Sequence, residues 1–335
     1  MISAKRMAEV LESVKGRRVL VVGDFLADRY VYGRTERVSR EAPVLILRYE
    51  SERLIPGQAA NVVRNVCALG GAAVAAGVVG TDATGRKLVG QLRKLRADTA
   101  GLLSEKGRAT ATKTRIWAHA HHAASQQVVR LDRDVRQPPA GKTADRLLTF
   151  IKKKVGESDA VLLSDYGCGV LADGIAKAVI AVARAAKVPI VVDSRYGLLD
   201  FHGVTAATPN ETEVAAALGV SDLDSVTAAD LGRRLMRRID CACVLVTQGA
   251  EGMTLLQKGK RLYHVPVFGP DEVADVTGAG DTVSSAFTLG LAAGLPPTEA
   301  AELANVAAGL VVMKLGTATV TPGEIMGAMR DAQAG

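Results

Sequence analysis

RVLVVGD (Arg18–Asp24) sets four apolar residues in a row between an arginine and a Gly-Asp pair. A run without polar alternation reads as a strand buried on both faces, the signature of a parallel sheet covered by helices. DAVLLSD (Asp159–Asp165), VPIVVDS (Val188–Ser194) and CVLVTQG (Cys243–Gly249) repeat the pattern. Between them lie helical stretches: AANVVRNVCALG (59–70), GRKLVGQLRKLRA (85–97), ADGIAKAVIAVARAA (172–186) and AADLGRRLMRRI (228–239). Repeated βα units predict an α/β fold, a doubly wound, mainly parallel sheet with helices on both faces. Ligands of such a sheet sit beyond the C-terminal ends of its strands. Those ends carry Asp24, Asp165, Asp193 and Thr247. Any one alone is an ordinary turn former; four on one edge suggest a site.

The 335 residues suit one large domain over 1–335. Hydrophobic residues make up 48% and charged residues 23%, enough for a core, whereas aromatics at 4% offer no platform for stacking bases. A net charge of +7 is that of a basic protein or of one whose ligands are anions such as phosphates. Nucleic acid is disfavoured because the basic residues are scattered, and the densest cluster, RRLMRR (Arg233–Arg238), reads as a solvated helix face. The four cysteines have no metal-ligand spacing and suggest free thiols in a reducing compartment. HAHH (His119–His122) lacks an accompanying acid or cysteine cluster and reads as strand decoration. No signal peptide and no membrane-length apolar run is present, so a cytoplasmic location is expected.

Two stretches break the α/β rhythm. Residues 30–54 and 112–134 are extended and lack helical period, which predicts a small inserted β sheet, a lid. Such a sheet covers a substrate or pairs with a second copy to hide its edges.

DVTGAGDTVSSAFTLGLAAG (Asp275–Gly294) places glycines at a helix start and an acid just behind them. Helix N-termini present unpaired N–H groups and a positive dipole end, and glycine allows an anion close to the backbone. Gly278, Ala279 and Gly280 read as a preformed anion hole, with Asp281 placed to take a proton from an attacking hydroxyl. The helix reads as amphipathic, with a stripe of Val283, Phe287, Gly290, Leu291 and Gly294 and small residues Ala286 and Gly290 facing the sheet. The competing reading is a glycine-rich turn followed by a helix-stabilising aspartate. Neither a Walker loop nor a G-x-G-x-x-G after a first strand is present.

DVTGAGDT resembles the signature of the ribokinase-like (PfkB) carbohydrate kinases, and PGQAANVVRNVCALGG (56–71) resembles their N-terminal signature. Residues 19–44, TKTRI, QQVVRLD, LLSDYGCGVL (162–171), TPNETE (208–213) and residues 305–322 resemble the heptose-phosphate kinase branch, which includes the kinase half of the bifunctional ADP-heptose synthesis enzyme. The resemblance implies ATP-dependent phosphorylation of the anomeric hydroxyl of D-glycero-D-manno-heptose 7-phosphate, with Mg²⁺ and K⁺ as candidate ions. It implies Asp281 as base and Gly278, Ala279 and Gly280 as anion hole. It assigns Asp28, Gly57, Gln58, Asn61 and Asp165 to the sugar, and Lys113, Arg115 and Arg130 to its phosphate. Asn210, Glu213, Arg195, Thr247, Gly249, Gly252 and Asn305 fall to the nucleotide. Glu213 would reach Mg²⁺ through water, and Asp275, Thr277 and Gly316 would hold the monovalent cation. No nucleotidyltransferase domain is expected before Gly335, and a homodimer through the lid strands is. The chain departs from the family at Gln58, where a second glycine is usual, at Arg195, within DSRYG where Asp-Pro-Lys-Gly is usual, and at Cys168, where lysine is common.

Overall fold

The computed structural model describes all residues except 1, 120–124, 173, 224, 270–272 and 335. Two sheets form. In chain order the strands are β1 (Arg18–Gly23), β2 (Phe25–Val38), β3 (Leu45–Gln58), β4 (Ala72–Gly80), β5 (Asp98–Glu105), β6 (Thr112–His119), β7 (Gln126–Arg133), β8 (Ala160–Asp165), β9 (Ile190–Ser194), β10 (Ala206–Ala207), β11 (Cys243–Thr247), β12 (Met253–Gln257) and β13 (Tyr263–Val265). The large sheet runs β13-β12-β11-β10-β9-β8-β1-β4-β5. It is parallel from β5 to β11 and ends in an antiparallel β11-β12-β13 meander.

The opening strand shows why the apolar runs do not alternate. Val19 and Val21 enter one core layer, with the helices Ala4–Val14, Ala59–Ala68, Ala279–Ala292 and Pro297–Val311. Leu20 and Val22 enter the other, with Gly141–Val155, Ile175–Ala185 and Ala228–Arg238. Both faces are covered, so every β1 residue after Arg18 is buried. The four arginines of RRLMRR lie exposed on the Ala228–Arg238 helix.

The Ala279–Ala292 helix differs from its expected amphipathic form. It is buried on nearly every side, Asp281 to Gly290 without a break, because a second helix closes over it. Gly290 does not face the sheet: a Cβ there would lie 2.6 Å from the Cβ of Ala300, so the glycine admits the Pro297–Val311 helix.

The small sheet has the order β3-β2-β6-β7, with β2 and β6 parallel and both flanking pairs antiparallel. Its β2–β3 arm covers 25–58, longer than the 30–54 expected, since the strands run on into β1 and the Ala59–Ala68 helix. β7 is exposed along its whole length. His119 closes β6 and meets Glu50 at 2.8 Å; His121 and His122 lie outside the described residues. Among the described residues no helix is long and apolar enough to cross a membrane.

Candidate active site

The helix after DVTG begins at Gly278, whose φ of +84° suits glycine and where a Cβ would press within 2.8 Å of Asn61 Nδ2. The anion hole differs from the expected trio. The Ala279 amide turns back to the Val276 carbonyl at 3.2 Å, whereas the amides of Gly280 and Asp281 have no acceptor among the described residues. Those two are the donors left open at the helix start. Gly280 faces empty space, with nothing within 4 Å of a Cβ built there.

Asp281 is 5% exposed and held on both oxygens. Asn61 Nδ2 donates to Oδ2 at 2.8 Å and the Tyr166 hydroxyl donates to Oδ1 at 2.9 Å. Burial pushes its pKa up to about 6, with those two hydrogen bonds opposing. That is a suitable value for a base at neutral pH. The Tyr166 hydroxyl is itself held well above its ordinary range, first by burial and then by the charge of Asp281, so it remains a donor.

Sequence reasoning passed over Tyr166; its only signal was its place directly after Asp165 at a strand end. Asp24 fixes the loop that carries it, accepting the amides of Tyr166, Cys168 and Val170 at 2.8, 2.9 and 3.1 Å. Asp165 accepts the Ser194 hydroxyl at 2.6 Å and the Gly167 amide at 3.1 Å. Asp193 is buried with Oδ2 unpartnered, and burial, then Asp281 and Glu213, hold it well above the carboxylate range.

Two cavities flank Asp281. The first, about 370 Å³, is lined by Lys113, Arg130, Arg133, Arg136 and Arg195 together with Gln58 and Tyr166. Arg130 forks onto Asp132 at 2.8 and 2.6 Å. Lys113 and Arg195 make no ion pair among the described residues, and burial, opposed by Asp28, lowers the Lys113 pKa. The Lys113 ammonium sits 5.9 Å from the Tyr166 ring centre.

Arg195, expected with the nucleotide, belongs to this cavity because the turn after β9 carries it there. Arg115, expected here, is instead ion-paired to Asp28 and stacked on Tyr30. Gly57 packs on the same aspartate, where a Cβ would lie 2.3 Å from Oδ2. Gln58 is 8% exposed, has a φ of +52°, and leaves its Oε1 without a partner.

The second cavity, about 210 Å³, is apolar: Met253, Val267, Val273, Val276, Val283 and Ala308 line it. Thr247, Gly249, Ala250, Gly252, Ala279, Gly280, Asn305, Gly309 and Val312 complete its wall. The Asn305 amide donates to the Pro266 carbonyl at 2.8 Å. Asn210 and Glu213 lie in neither wall. They form the capping box of the Glu211–Leu218 helix, the Glu213 carboxylate accepting the Asn210 amide at 2.9 Å. A bridge pairs Asn210 with Thr247. Asp275 accepts the amides of Thr277 and Gly316, each at 2.9 Å, which brings that trio together; burial raises its pKa, but these bonds prevail and hold it low.

The model of the pfkB family carbohydrate kinases matches residues 17–323. Bifunctional protein HldE of Geobacter metallireducens is 39% identical over 326 residues, covering 97% of this chain and 65% of the relative. HldE of a Caulobacter species is 40% identical over 323 residues, covering 96% of this chain and 64% of the relative. The chain thus spans just under two thirds of these curated relatives. Arabidopsis thaliana ribokinase, solved with ribose and ATP, superposes with a TM-score of 0.73 at 19% identity, covering 94% of this chain and 99% of that one. Escherichia coli phosphofructokinase-2 with potassium gives 0.71 at 19%, covering 95% and 99%. These two show that the fold is ribokinase-like.

Proposed function

We propose, from the premise that this chain belongs to the pfkB family of carbohydrate kinases, that it transfers the γ-phosphoryl group of ATP to the anomeric hydroxyl of D-glycero-β-D-manno-heptose 7-phosphate in ADP-heptose formation. The observation that carries the reading is a buried carboxylate at the meeting of a cationic and an apolar cavity. Tyr166, bonded to Asp281, lines the first cavity, and Gly280, its chain neighbour, lines the second.

The acceptor's 7-phosphate lies with Lys113, Arg130 and Arg195, because a dianion needs several cations. Its hydroxyls face Gln58 and Asp165. The adenine occupies the valine-lined cavity near Asn305, and its phosphates pass Thr247 and Gly249. Asp281 takes the proton of the anomeric hydroxyl as the oxygen attacks phosphorus and the bond to the β-phosphate oxygen breaks, leaving ADP. The open amides of Gly280 and Asp281 receive the charge that builds on the moving phosphoryl oxygens.

No group of three or more His, Cys, Asp or Glu among the described residues is arranged to hold a metal ion. Mg²⁺ therefore fits as a companion of the ATP phosphates, reached through water by Glu213, whose burial-raised pKa a cation would relieve. The orphaned Asp193 Oδ2 is a second hard oxygen donor nearby. When bound, the ion neutralises phosphate charge. Asp275, Thr277 and Gly316 suit a monovalent cation by their oxygens. Exposed Val128, Val129 and Leu131 on β7 favour a homodimer through the small sheet.

The strained Gln58 supports a second reading, a related phosphorylated sugar as acceptor. An ATP-coupled screen of phosphorylated and free sugars tests both. Turnover of the heptose 7-phosphate, lost in Asp281→Asn, is expected. Preference for an unphosphorylated sugar overturns both readings.

A further inference from the structure

Asn61 is fully buried, and its amide must present nitrogen rather than oxygen to the Asp281 carboxylate. Flipped by 180°, the amide would set two acceptors against each other in a low-dielectric site. Something must select the orientation. Arg64 stands one turn further along the Ala59–Ala68 helix, and its Nη1 donates to Asn61 Oδ1 at 3.1 Å. The same nitrogen donates to the Thr317 carbonyl at 3.2 Å, beside Gly316, whose amide Asp275 holds. Arg64 is half-buried and makes no ion pair among the described residues; burial lowers its pKa, and the charge of Asp281 opposes that. Its charge is thus turned to the candidate base through one intervening amide.

We propose that Arg64 is a positioning residue for Asp281. It locks the Asn61 amide so that Nδ2 faces the carboxylate, and it ties that lock to the 316–317 loop. The other brace is separate: Tyr166 reaches Oδ1 from the loop after β8, on the opposite side of the carboxylate. Asn65 does not duplicate the lock, because its amide nitrogen bonds the Asn61 backbone carbonyl and its oxygen accepts the Thr282 hydroxyl. The inference rests on the reading of Asp281 as base only for its kinetic consequence; the orientation of Asn61 stands on the geometry.

The charged and titratable groups facing Asp281 are Asp28 from β2, Lys113 from β6, Tyr166 from the loop after β8, Asp193 from β9 and Arg64 from the Ala59–Ala68 helix. Asp28 raises its proton affinity; Lys113, Tyr166 and the Arg64–Asn61 pair lower it, while Asp193, itself held well above the carboxylate range, is acted on by the charge of Asp281.

The test uses the full chain with Arg64→Met and Arg64→Lys. The Asp281 carboxyl is titrated by carbon-13 NMR without substrates, Asp281→Asn serving to assign the signal. Kinetics are run in parallel against pH. Arg64→Met is expected to move the titration midpoint, and the acid limb of kcat, upward by about half a unit or more. It is expected to lower kcat by about 10- to 100-fold, with both KM values within about threefold of the parent. Arg64→Lys keeps a cationic donor and is expected to restore the midpoint and most of kcat. An unmoved midpoint with kcat within about twofold in folded Arg64→Met overturns the proposal. So does a kcat loss that only follows a fall in Tm. Should Arg64→Met fail to fold, a parental midpoint in folded Arg64→Gln, which keeps a donor without charge, overturns the electrostatic half, and a raised one supports it. If no sugar is phosphorylated at all, the kinase reading fails while the NMR titration still decides the role of Arg64.

Discussion

The two cavities beside Asp281 are built on opposite principles. The larger is walled by five cations, and two of them, Arg130 and Arg136, already lean on the acids Asp132 and Asp134. The smaller is walled by five valines, with a methionine, an asparagine and small residues. A charged wall is costly unless an anion arrives to answer it, and an apolar wall holds a flat hydrophobic group without any partner. On the proposed reading, that difference matches one end to a phosphorylated acceptor and the other to the base of a nucleotide. Asp281 belongs to neither wall and serves the junction.

Removing the junction carboxylate should have the largest effect. Asp281→Asn is expected to lower kcat by about 10³-fold or more, measured by coupled ADP release. It should also stabilise. The folded pKa of about 6 stands above the ordinary 3.8, so the folded state binds the proton more tightly. Stability contributed by this group is present below pH 4 and is lost as pH rises through 6. Asn removes that loss, so Tm should rise at pH 8 by the equivalent of about 3 kcal/mol and hardly change at pH 4. Equal shifts at both pH values would break the argument from burial.

On the charged side, Lys113→Met should raise KM for the phosphorylated acceptor by about 10- to 100-fold, the worth of a charge-assisted hydrogen bond. KM for ATP should stay put. If both rise together, the cavities are not separate in function. Arg115→Met should instead lower stability, because it strands Asp28 as a buried unpaired carboxylate.

On the apolar side, two glycines of one motif should respond differently. Gly280→Ala meets no protein atom but intrudes on the cavity, so Tm holds while KM for ATP rises by about tenfold. Gly278→Ala forces a left-handed backbone and presses on Asn61, so stability falls by about 2 kcal/mol. Thermal scans and ATP kinetics on the pair separate the two cases.

The sheet was legible where both faces are buried, because Val19–Val22 and Leu162–Leu163 leave no polar position to confuse the period. β4 escaped notice: AAVAAGVVG is mostly alanine and glycine, residues with weak strand preference that are chosen here for close packing. The burial of the Ala279–Ala292 helix on all sides was hidden because the helix that covers it comes later in the chain. The acid and the glycines of the site could be read from local spacing. Its braces could not. Asn61 lies 220 residues from Asp281 and Tyr166 lies 115 away, and only the fold brings their atoms together. Arg195 could not be placed from the sequence for the same reason, since a charge in a loop carries no direction until the loop is placed; it lines the first cavity and its charge also reaches Glu213.

Gln58 gives the smallest expected effect and the sharpest contrast between the cavities. Every donor and acceptor at the Asp281 carboxylate is matched, whereas Gln58, on the charged wall, has a strained φ of +52° and an orphaned Oε1. The strained backbone costs about 1–3 kcal/mol and the unpaired buried oxygen about as much again. Glycine relieves both terms but gives the unfolded chain more freedom, which returns about 1 kcal/mol. Gln58→Gly should therefore stabilise by at least about 1 kcal/mol, a rise in Tm of a few degrees. It should also raise turnover of the heptose phosphate by clearing the cavity wall. If KM for the acceptor rises instead while Tm still increases, Oε1 has its partner in the bound sugar. The strain at residue 58 would then be the means by which this chain selects its acceptor.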